Sequence, residues 1–256
     1  MTGYFVRDIA AILGEATIRN NAVIRNILID SRKINSPADS IFFAIVGINH
    51  NGHDYIGELY DKGIRTFVIS QKHDFEERFP QGNFILVTDT LLALQSLATS
   101  HRKEINIPVV AITGSNGKTI VKEWLYHTLA LGKNIIRSPR SFNSQVGVPL
   151  SLWLLQKENE LGIFEAGISK PGEMKQLGEM IMPDTGIFTN IGEAHQENFS
   201  DLEQKIREKL LLFHSCKTII YCRDHELIHQ SVQKDRQLKH AFLFNWSMKE
   251  NASLRI

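Results

Sequence analysis

The sequence of 256 residues lacks an excess of charge of either sign, which restricts its partners. It contains 29 Lys and Arg against 28 Asp and Glu, a formal net charge of +1. Such a balance gives no bulk attraction to nucleic acid or to an anionic membrane surface. We therefore expect no nucleic-acid partner, and any bound anion must be held by a local site.

Long hydrophobic runs and cysteines are also scarce. The longest apolar runs, such as residues 41–46, are too short to span a bilayer, and the amphipathic N-terminus lacks the build of a signal peptide. The two cysteines, Cys216 and Cys222, flank a predicted strand and are expected to be reduced core thiols rather than a disulfide or metal pair. These absences predict a cytoplasmic protein without membrane insertion.

From residue 108 onward, short apolar runs alternate with helical patterns. The predicted strands are 109–113, 134–138, 161–166, 185–190, 217–222 and 240–245. The predicted helices are 119–131, 146–155, 172–181, 201–214 and 225–232. This alternation indicates βαβ units and a mostly parallel sheet covered on both faces.

The earlier part of the chain has a looser pattern that predicts a smaller α/β domain. Its predicted strands and helix are 27–32, 40–46, 66–70, 83–87 and 54–62. With a linking helix over 90–104, this domain is predicted to span 1–104 and a central domain 105–256. Because the sequence ends just after a predicted strand, we expect the central domain to be incomplete and a further domain to be missing.

A glycine-containing loop joins the first central strand to a helix. Gly114 and Gly117 let the backbone curl, Lys118 supplies a cation and Thr119 a hydroxyl for Mg²⁺, as in a phosphate-binding loop. The loop departs from the usual pattern because Ile112 stands where an early glycine is expected. The alternative is a plain strand-to-helix turn with an exposed lysine. The predicted ATP-binding residues are Gly114, Ser115, Asn116, Gly117, Lys118 and Thr119.

Polar residues end the other predicted strands. Glu165 and Asn190 each end a strand, and His195 follows shortly after. Each alone is a weak signal, since a carboxylate can cap a helix and a lone histidine is often structural. Because the carboxyl ends of parallel strands meet at one sheet edge, together they predict a Mg²⁺ site beside the loop.

A second motif, His225-Glu226-Leu-Ile-His229, has the spacing of a helical zinc site. Glu250 stands where a third, carboxylate ligand is conceivable, but no third histidine follows at a suitable spacing. We interpret these residues as a polar helix face and keep a zinc hydrolase as an alternative.

These residues together resemble the Mur ligase family, whose phosphate loop also lacks the early glycine. Residues 141–152, 164–174 and 189–199 resemble the Asn-containing Gly-Val-Pro-Leu, Glu-x-Gly…Pro-Gly-Glu and Thr-Asn-Ile-Gly-x-Ala-His segments of one branch of that family. The resemblance covers about residues 25–222. It is greatest to the branch that joins D-alanyl-D-alanine to UDP-N-acetylmuramoyl-tripeptide, and Gln196 is similar to forms fused to an alanine racemase.

The resemblance implies a role for each matching residue. Lys118 would bind the terminal phosphates of ATP, Thr119 and Glu165 one Mg²⁺, and His195 a second Mg²⁺. Further roles fall to Asn143, near the phosphates; Lys209, where the family often has a carbamylated lysine; and Ser31 and Arg32, which would contact the UDP moiety. For Lys209, an exposed helix lysine is the alternative.

The implied reaction is the ATP-dependent activation of a peptide carboxylate as an acyl phosphate, which the amine of D-alanyl-D-alanine attacks. The resemblance implies that this dipeptide binds largely to a third domain, so we expect the chain alone to be nearly inactive. Two further alternatives are another amide ligase of the folylpolyglutamate type and a nucleotide-binding module without catalysis.

Overall fold

The structure of the chain is a computed structural model that describes residues 3–71, 74–192, 198–249 and 251–256. The chain divides into two compact units, residues 1–101 and 102–256. None of the described helices is both long enough and apolar enough to cross a bilayer.

The first unit is built on a five-stranded sheet. The strands of this unit are β1 (Tyr4–Phe5), β2 (Ala16–Thr17), β3 (Val23–Ile24), β4 (Asn26–Leu28), β5 (Ser40–Phe43), β6 (Val46–Gly47), β7 (His50–Asn51), β8 (Thr66–Ile69) and β9 (Asn83–Leu86). Its helices are α1 (Val6–Leu13), α2 (Ile56–Asp61), α3 (Phe75–Arg78) and α4 (Thr90–Glu104), and the unit boundary falls within α4. The sheet order is β2-β9-β8-β5-β4, parallel except for β2, while β1–β3 and β6–β7 form two-stranded antiparallel pairs.

The core of the first unit lies against this sheet. Every residue of β5 and β8 is buried, as expected for central parallel strands whose two faces are both covered. Phe67 stacks on Phe84 with ring centroids 5.4 Å apart. These apolar runs explain why the strands are recognisable from sequence.

The second unit contains a seven-stranded sheet. Its strands are β10 (Val109–Thr113), β11 (Ile135–Arg137), β12 (Leu161–Glu165), β13 (Thr185–Phe188), β14 (Thr218–Cys222), β15 (Phe242–Ser247) and β16 (Leu254–Arg255). Its helices are α5 (Lys118–Leu129), α6 (Gly147–Leu152), α7 (Glu173–Ile181), α8 (Leu202–Leu210) and α9 (Glu226–Lys234). All pairings are parallel, in the order β11-β12-β10-β13-β14-β15-β16. The predicted fold class, a small α/β domain followed by a mostly parallel α/β domain with the phosphate-type loop, is confirmed.

The strand order of the second unit creates a switch point at β10. This strand lies between β12 and β13, so the chain leaves β10 toward one side of the sheet and later returns to the other. Ligands of open α/β sheets bind where the order reverses, at the carboxyl ends of the strands. The loops after β10, β12 and β13 meet at this edge.

Most of the predicted strands have different bounds in the structure, and the prediction 40–46, for example, corresponds to Ser40–Phe43. The strand predicted at 27–32 ends at Leu28 because Asp30 Oδ1 accepts hydrogen bonds from the backbone N and the Nε of Arg32, 3.1 and 2.8 Å away, which closes a turn. The strand predicted at 240–245 runs instead from Phe242 to Ser247.

The expected state of the cysteines is confirmed. Cys216 and Cys222 are both buried and free. Burial, with a smaller contribution from Asp184, raises the pKa of the Cys216 thiol to about 12.

Candidate nucleotide site

The loop from Gly114 to Gly117 has the backbone that a phosphate loop requires. Gly114 has φ +146° and Gly117 φ +81°, values that favour glycine. A Cβ on Gly114 would lie 2.0 Å from Thr189 Oγ1. Ile112 is fully buried within β10 and pairs with Glu165, so the position of the usual early glycine belongs to the strand.

The segment after β13 fixes the loop through hydrogen bonds. The backbone amide of Ser115 donates to Asn190 O and that of Asn116 to Asn190 Oδ1, each at 2.9 Å. Thr189 Oγ1 donates to Asn116 O at 2.6 Å. Asn190, predicted to lie at this edge, therefore fixes the loop. The first backbone amides of α5 have no acceptor within the helix.

Glu165, at the end of β12, is the carboxylate of the site. It is fully buried, and its Oε2 accepts a hydrogen bond from Thr119 Oγ1 at 3.1 Å and a longer one from Asn143 Nδ2 at 3.4 Å. Its Oε1 lies 2.9 Å from Nζ of Lys122, a residue that the sequence patterns do not single out. The structure thus brings Thr119, Asn143 and Glu165 together as predicted.

Lysine side chains surround the loop. Lys118 Nζ donates to Gly114 O at 2.8 Å, and Lys209 Nζ donates to the same oxygen at 3.4 Å. Lys209 has only 3% of its surface exposed, so the alternative of an exposed helix lysine is wrong. Lys205, also buried and also absent from the predictions, donates to Gly192 O at 2.6 Å.

Burial changes the pKa of two of these ammonium groups. Burial, followed by repulsion from Lys118 and Lys205, lowers the pKa of Lys209 to about 7. Burial also lowers the pKa of Lys118, an effect that the nearby Glu165 carboxylate opposes. The neutral amine form of Lys209 is therefore accessible near neutral pH.

The loop, Lys209 and the segments after β11 and β12 enclose a cavity of about 140 Å³, the volume of roughly five waters. It is lined by Gly114, Ser115, Lys118, Asn143, Ser144, Gly167, Ile168, Ser169 and Lys209. The cavity has cationic side chains and polar backbone, which suits a phosphate-sized anion.

The remaining predicted residues lie elsewhere. His195 falls outside the described residues. Ser31 and Arg32 lie in the turn after β4 of the first unit, where the Arg32 guanidinium pairs with Asp30 at 2.8 and 3.0 Å and holds the pKa of that carboxyl well below its usual range.

The alternative zinc motif has another local explanation. His225 precedes α9, and His229 Nδ1 is 3.0 Å from the hydroxyl of Tyr221, on which its ring stacks. Glu250 is outside the described residues. Within the described part of the chain, no group of three His, Cys, Asp or Glu side chains could hold a metal ion.

Comparison with known families identifies the relatives of this fold. The model of the Mur ligase middle domain matches residues 112–255, and that of the Mur ligase family catalytic domain matches residues 23–111. The chain belongs to the Mur ligase family. The middle-domain match contains the loop, Glu165 and Lys209.

Similar Mur ligases are known in sequence and in structure. A UDP-N-acetylmuramoyl-tripeptide--D-alanyl-D-alanine ligase of Bacillus subtilis (strain 168) is 29% identical over 235 residues, 88% of this chain and 50% of its own length. The crystal structure of MurF from Acinetobacter baumannii superposes with a TM-score of 0.87 at 22% identity, covering 97% of this chain and 54% of that one. That of MurF ligase from Thermotoga maritima in complex with ADP has a TM-score of 0.76 at 25% identity, covering 88% and 51%. The chain therefore spans about half the length of these relatives.

Proposed function

We propose that the chain is the nucleotide-binding part of a ligase of peptidoglycan precursor synthesis. The full-length protein would use ATP to join D-alanyl-D-alanine to UDP-N-acetylmuramoyl-tripeptide in the cytoplasm. The observation that carries this proposal is that Lys118, Asn143 and Lys209 line one cavity at the switch point of the sheet. The carboxylate of Glu165 lies behind this cavity in contact with Asn143 and Thr119. The names of the sequence relatives support the branch, and the ADP complex of the Thermotoga protein supports a nucleotide.

The residues at the loop fit a magnesium ion. Thr119 Oγ1 and Glu165 Oε2 lie 3.1 Å apart, and Mg²⁺ is usually held by one or two carboxylates with substrate phosphates and waters. When bound, the ion would neutralise charge on the phosphates and act as a Lewis acid. Asn143, which contacts the same carboxylate, would keep Glu165 oriented.

In the first step a carboxylate oxygen of the peptide attacks the γ-phosphorus of ATP, and ADP leaves. In the second, the amine nitrogen of D-alanyl-D-alanine attacks the acyl carbon, phosphate leaves with that carboxylate oxygen, and the amine loses a proton. Lys118 and the amides at the start of α5 would stabilise charge on the transferred group. Their positions are fixed beforehand by the loop's hydrogen bonds to Asn190.

Lys209 has a separate proposed role. Because its pKa is about 7 and its amine is buried beside two other lysines, the neutral form is available to react with CO₂. The amine nitrogen would bond to the carbon of CO₂ and lose a proton to solvent. The resulting carbamate would replace a repelled cation by an anion that Lys118 and Lys205 attract. Such an anion would help to orient the metal and phosphates.

The first unit would bind the UDP part of the substrate. Arg32 is exposed in the turn after β4, and its planar guanidinium suits a diphosphate. Its present partner is Asp30, so this pair would open when the diphosphate binds.

The proposal is tested by product analysis with the full-length protein that contains this chain. Incubation with UDP-N-acetylmuramoyl-tripeptide, MgATP and D-alanyl-D-alanine is expected to give the pentapeptide product and ADP, detected by mass spectrometry. Glutamate and diaminopimelate, offered in place of the dipeptide, serve as controls. Ligation of one of these instead would refute the branch, and hydrolysis of ATP with no ligated product would refute the reaction.

A further inference from the structure

Lys122 lies one turn beyond the loop and is fully buried. On the same helix, the apolar side chains of Ile120 and Trp124 are exposed by 57% and 71%. This arrangement is the reverse of the usual one, in which lysine keeps its ammonium in water and apolar residues face the core. A buried ammonium is retained only where partners compensate its charge.

The partners of Lys122 come from three places at the site. Its Nζ donates to the carbonyl oxygens of Ser138 and Arg140, the former at 2.9 Å. It also forms ion pairs with Glu165 Oε1 at 2.9 Å and with Glu123 Oε1 at 3.3 Å. One side chain thus links α5, the segment after β11 and the end of β12.

Because of Lys122, the two oxygens of Glu165 have different partners. Oε1 is buried and accepts no aligned hydrogen bond from the described part of the chain, so the ammonium of Lys122 is the charge that compensates it. Oε2 faces Thr119 and Asn143 on the cavity side. The carboxylate is therefore fixed with one oxygen against Lys122 and the other toward the loop.

The second carboxylate near Lys122 already has another cation. Glu123 accepts from Arg137 Nε at 3.0 and 3.2 Å, and the Arg137 guanidinium lies 3.5 Å from the centroid of the Tyr126 ring. Because Arg137 balances Glu123, the charge of Lys122 is directed to Glu165. The alternating charges of Arg137, Glu123, Lys122 and Glu165 thus extend from the surface to the candidate cation site.

We propose that Lys122 is a positioning residue that sets the metal dependence of nucleotide binding. By holding Oε1 of Glu165, it presents Oε2, with Thr119, to the magnesium ion of the bound nucleotide. By holding the carbonyl groups of Ser138 and Arg140, it also fixes the segment that leads to Asn143. This inference rests on the proposed nucleotide site and assigns to Lys122 an effect that is exerted through Glu165.

The test measures ADP affinity by calorimetry in the full-length protein, once with Mg²⁺ and once with EDTA. The Mg²⁺ enhancement of ADP binding is the dissociation constant measured with EDTA divided by that measured with Mg²⁺. In Lys122→Met the enhancement is expected to fall at least about tenfold, while metal-free affinity changes less than about threefold. Lys175→Met, a variant of an exposed lysine on α7, is the matched control and should retain the enhancement.

A double-mutant cycle separates positioning from stability. In the Glu165→Gln background, Lys122→Met should change the enhancement by less than about twofold, because the effect of Lys122 on the metal is exerted through the Glu165 carboxylate, which Asn143 also contacts. This double variant removes the buried ammonium and its buried carboxylate partner together, so it serves even if Lys122→Met alone does not fold. An unchanged enhancement in Lys122→Met, an equal loss with and without Mg²⁺, or a further loss in the double variant would each overturn the proposal. If the wild-type protein binds no ADP, the proposed nucleotide site itself is refuted.

Discussion

Replacing Lys209 with methionine should remove a pH dependence of stability that the buried amine creates. The pKa of Lys209 falls from 10.5 to about 7 on folding, so between these values the unfolded chain binds more protons than the folded one. Stability therefore rises with pH through this window. A fall of the pKa from 10.5 to about 7 corresponds to at most about 5 kcal/mol of destabilisation, which is complete below pH 7 and absent above pH 10.5.

The expected difference between the proteins follows from the same linkage. Lys209→Met retains the length of the side chain without a charge, so it should be more stable than wild type at pH 7. The difference between the two proteins in the free energy of unfolding should decrease by about 2 kcal/mol between pH 7 and pH 9. Lys175→Met is the control, because its ammonium is exposed and its substitution should leave the pH dependence unchanged.

Urea unfolding followed by tryptophan fluorescence is the assay, in buffers free of CO₂. The three tryptophans, Trp124, Trp153 and Trp246, all lie in the second unit, so the signal reports the unit that contains Lys209. A difference that stays constant within about 0.5 kcal/mol from pH 7 to pH 9 would refute the reasoning. Bicarbonate added at pH 8 should stabilise wild type and leave Lys209→Met unaffected if the carbamate forms.

Three further predictions concern the loop and the core of the second unit. Gly114→Ala should lower the free energy of unfolding by at least about 2 kcal/mol in urea titrations, because the new methyl meets Thr189 Oγ1 at 2.0 Å; equal stability would contradict the loop geometry. Arg102→Met should lower the free energy of unfolding by about 3 kcal/mol or more, since the buried guanidinium donates to the carbonyl groups of residues 105, 107, 181 and 182. A loss under about 1 kcal/mol would contradict this, because water would then have replaced the guanidinium at these carbonyl groups. Cys216 should resist a disulfide reagent at pH 8 in the folded state, because burial raises its pKa to about 12; rapid labelling of Cys216, located by peptide mapping, would contradict this.

The elements of the second unit were predictable because long buried strands carry their own signal. Predicted strands at 109–113 and 161–166 appear as Val109–Thr113 and Leu161–Glu165. The linking helix predicted at 90–104, within which the unit boundary falls, also has those bounds. Two-residue strands such as Tyr4–Phe5 have no periodicity to detect. The turn at Asp30 was missed because its side chain competes locally with the strand pattern.

The site was only partly predictable. Strand-end positions placed Glu165 near Thr119 correctly, since parallel strands share one carboxyl edge. Lys122 and Lys205 carry no such signal, because a lysine on an amphipathic helix is usually solvated and only the packing shows that these are buried. The role of His195 stays a prediction.

The fate of a carboxylate oxygen tests the central claim most directly. The full-length protein is incubated with MgATP, D-alanyl-D-alanine and UDP-N-acetylmuramoyl-tripeptide whose reacting carboxylate carries ¹⁸O at both oxygens. If ATP activates this carboxylate as an acyl phosphate, each released phosphate should contain one ¹⁸O atom, detected by the isotope shift of its ³¹P resonance, and Lys118→Ala should abolish the transfer. Ligation that releases only unlabelled phosphate would contradict the account.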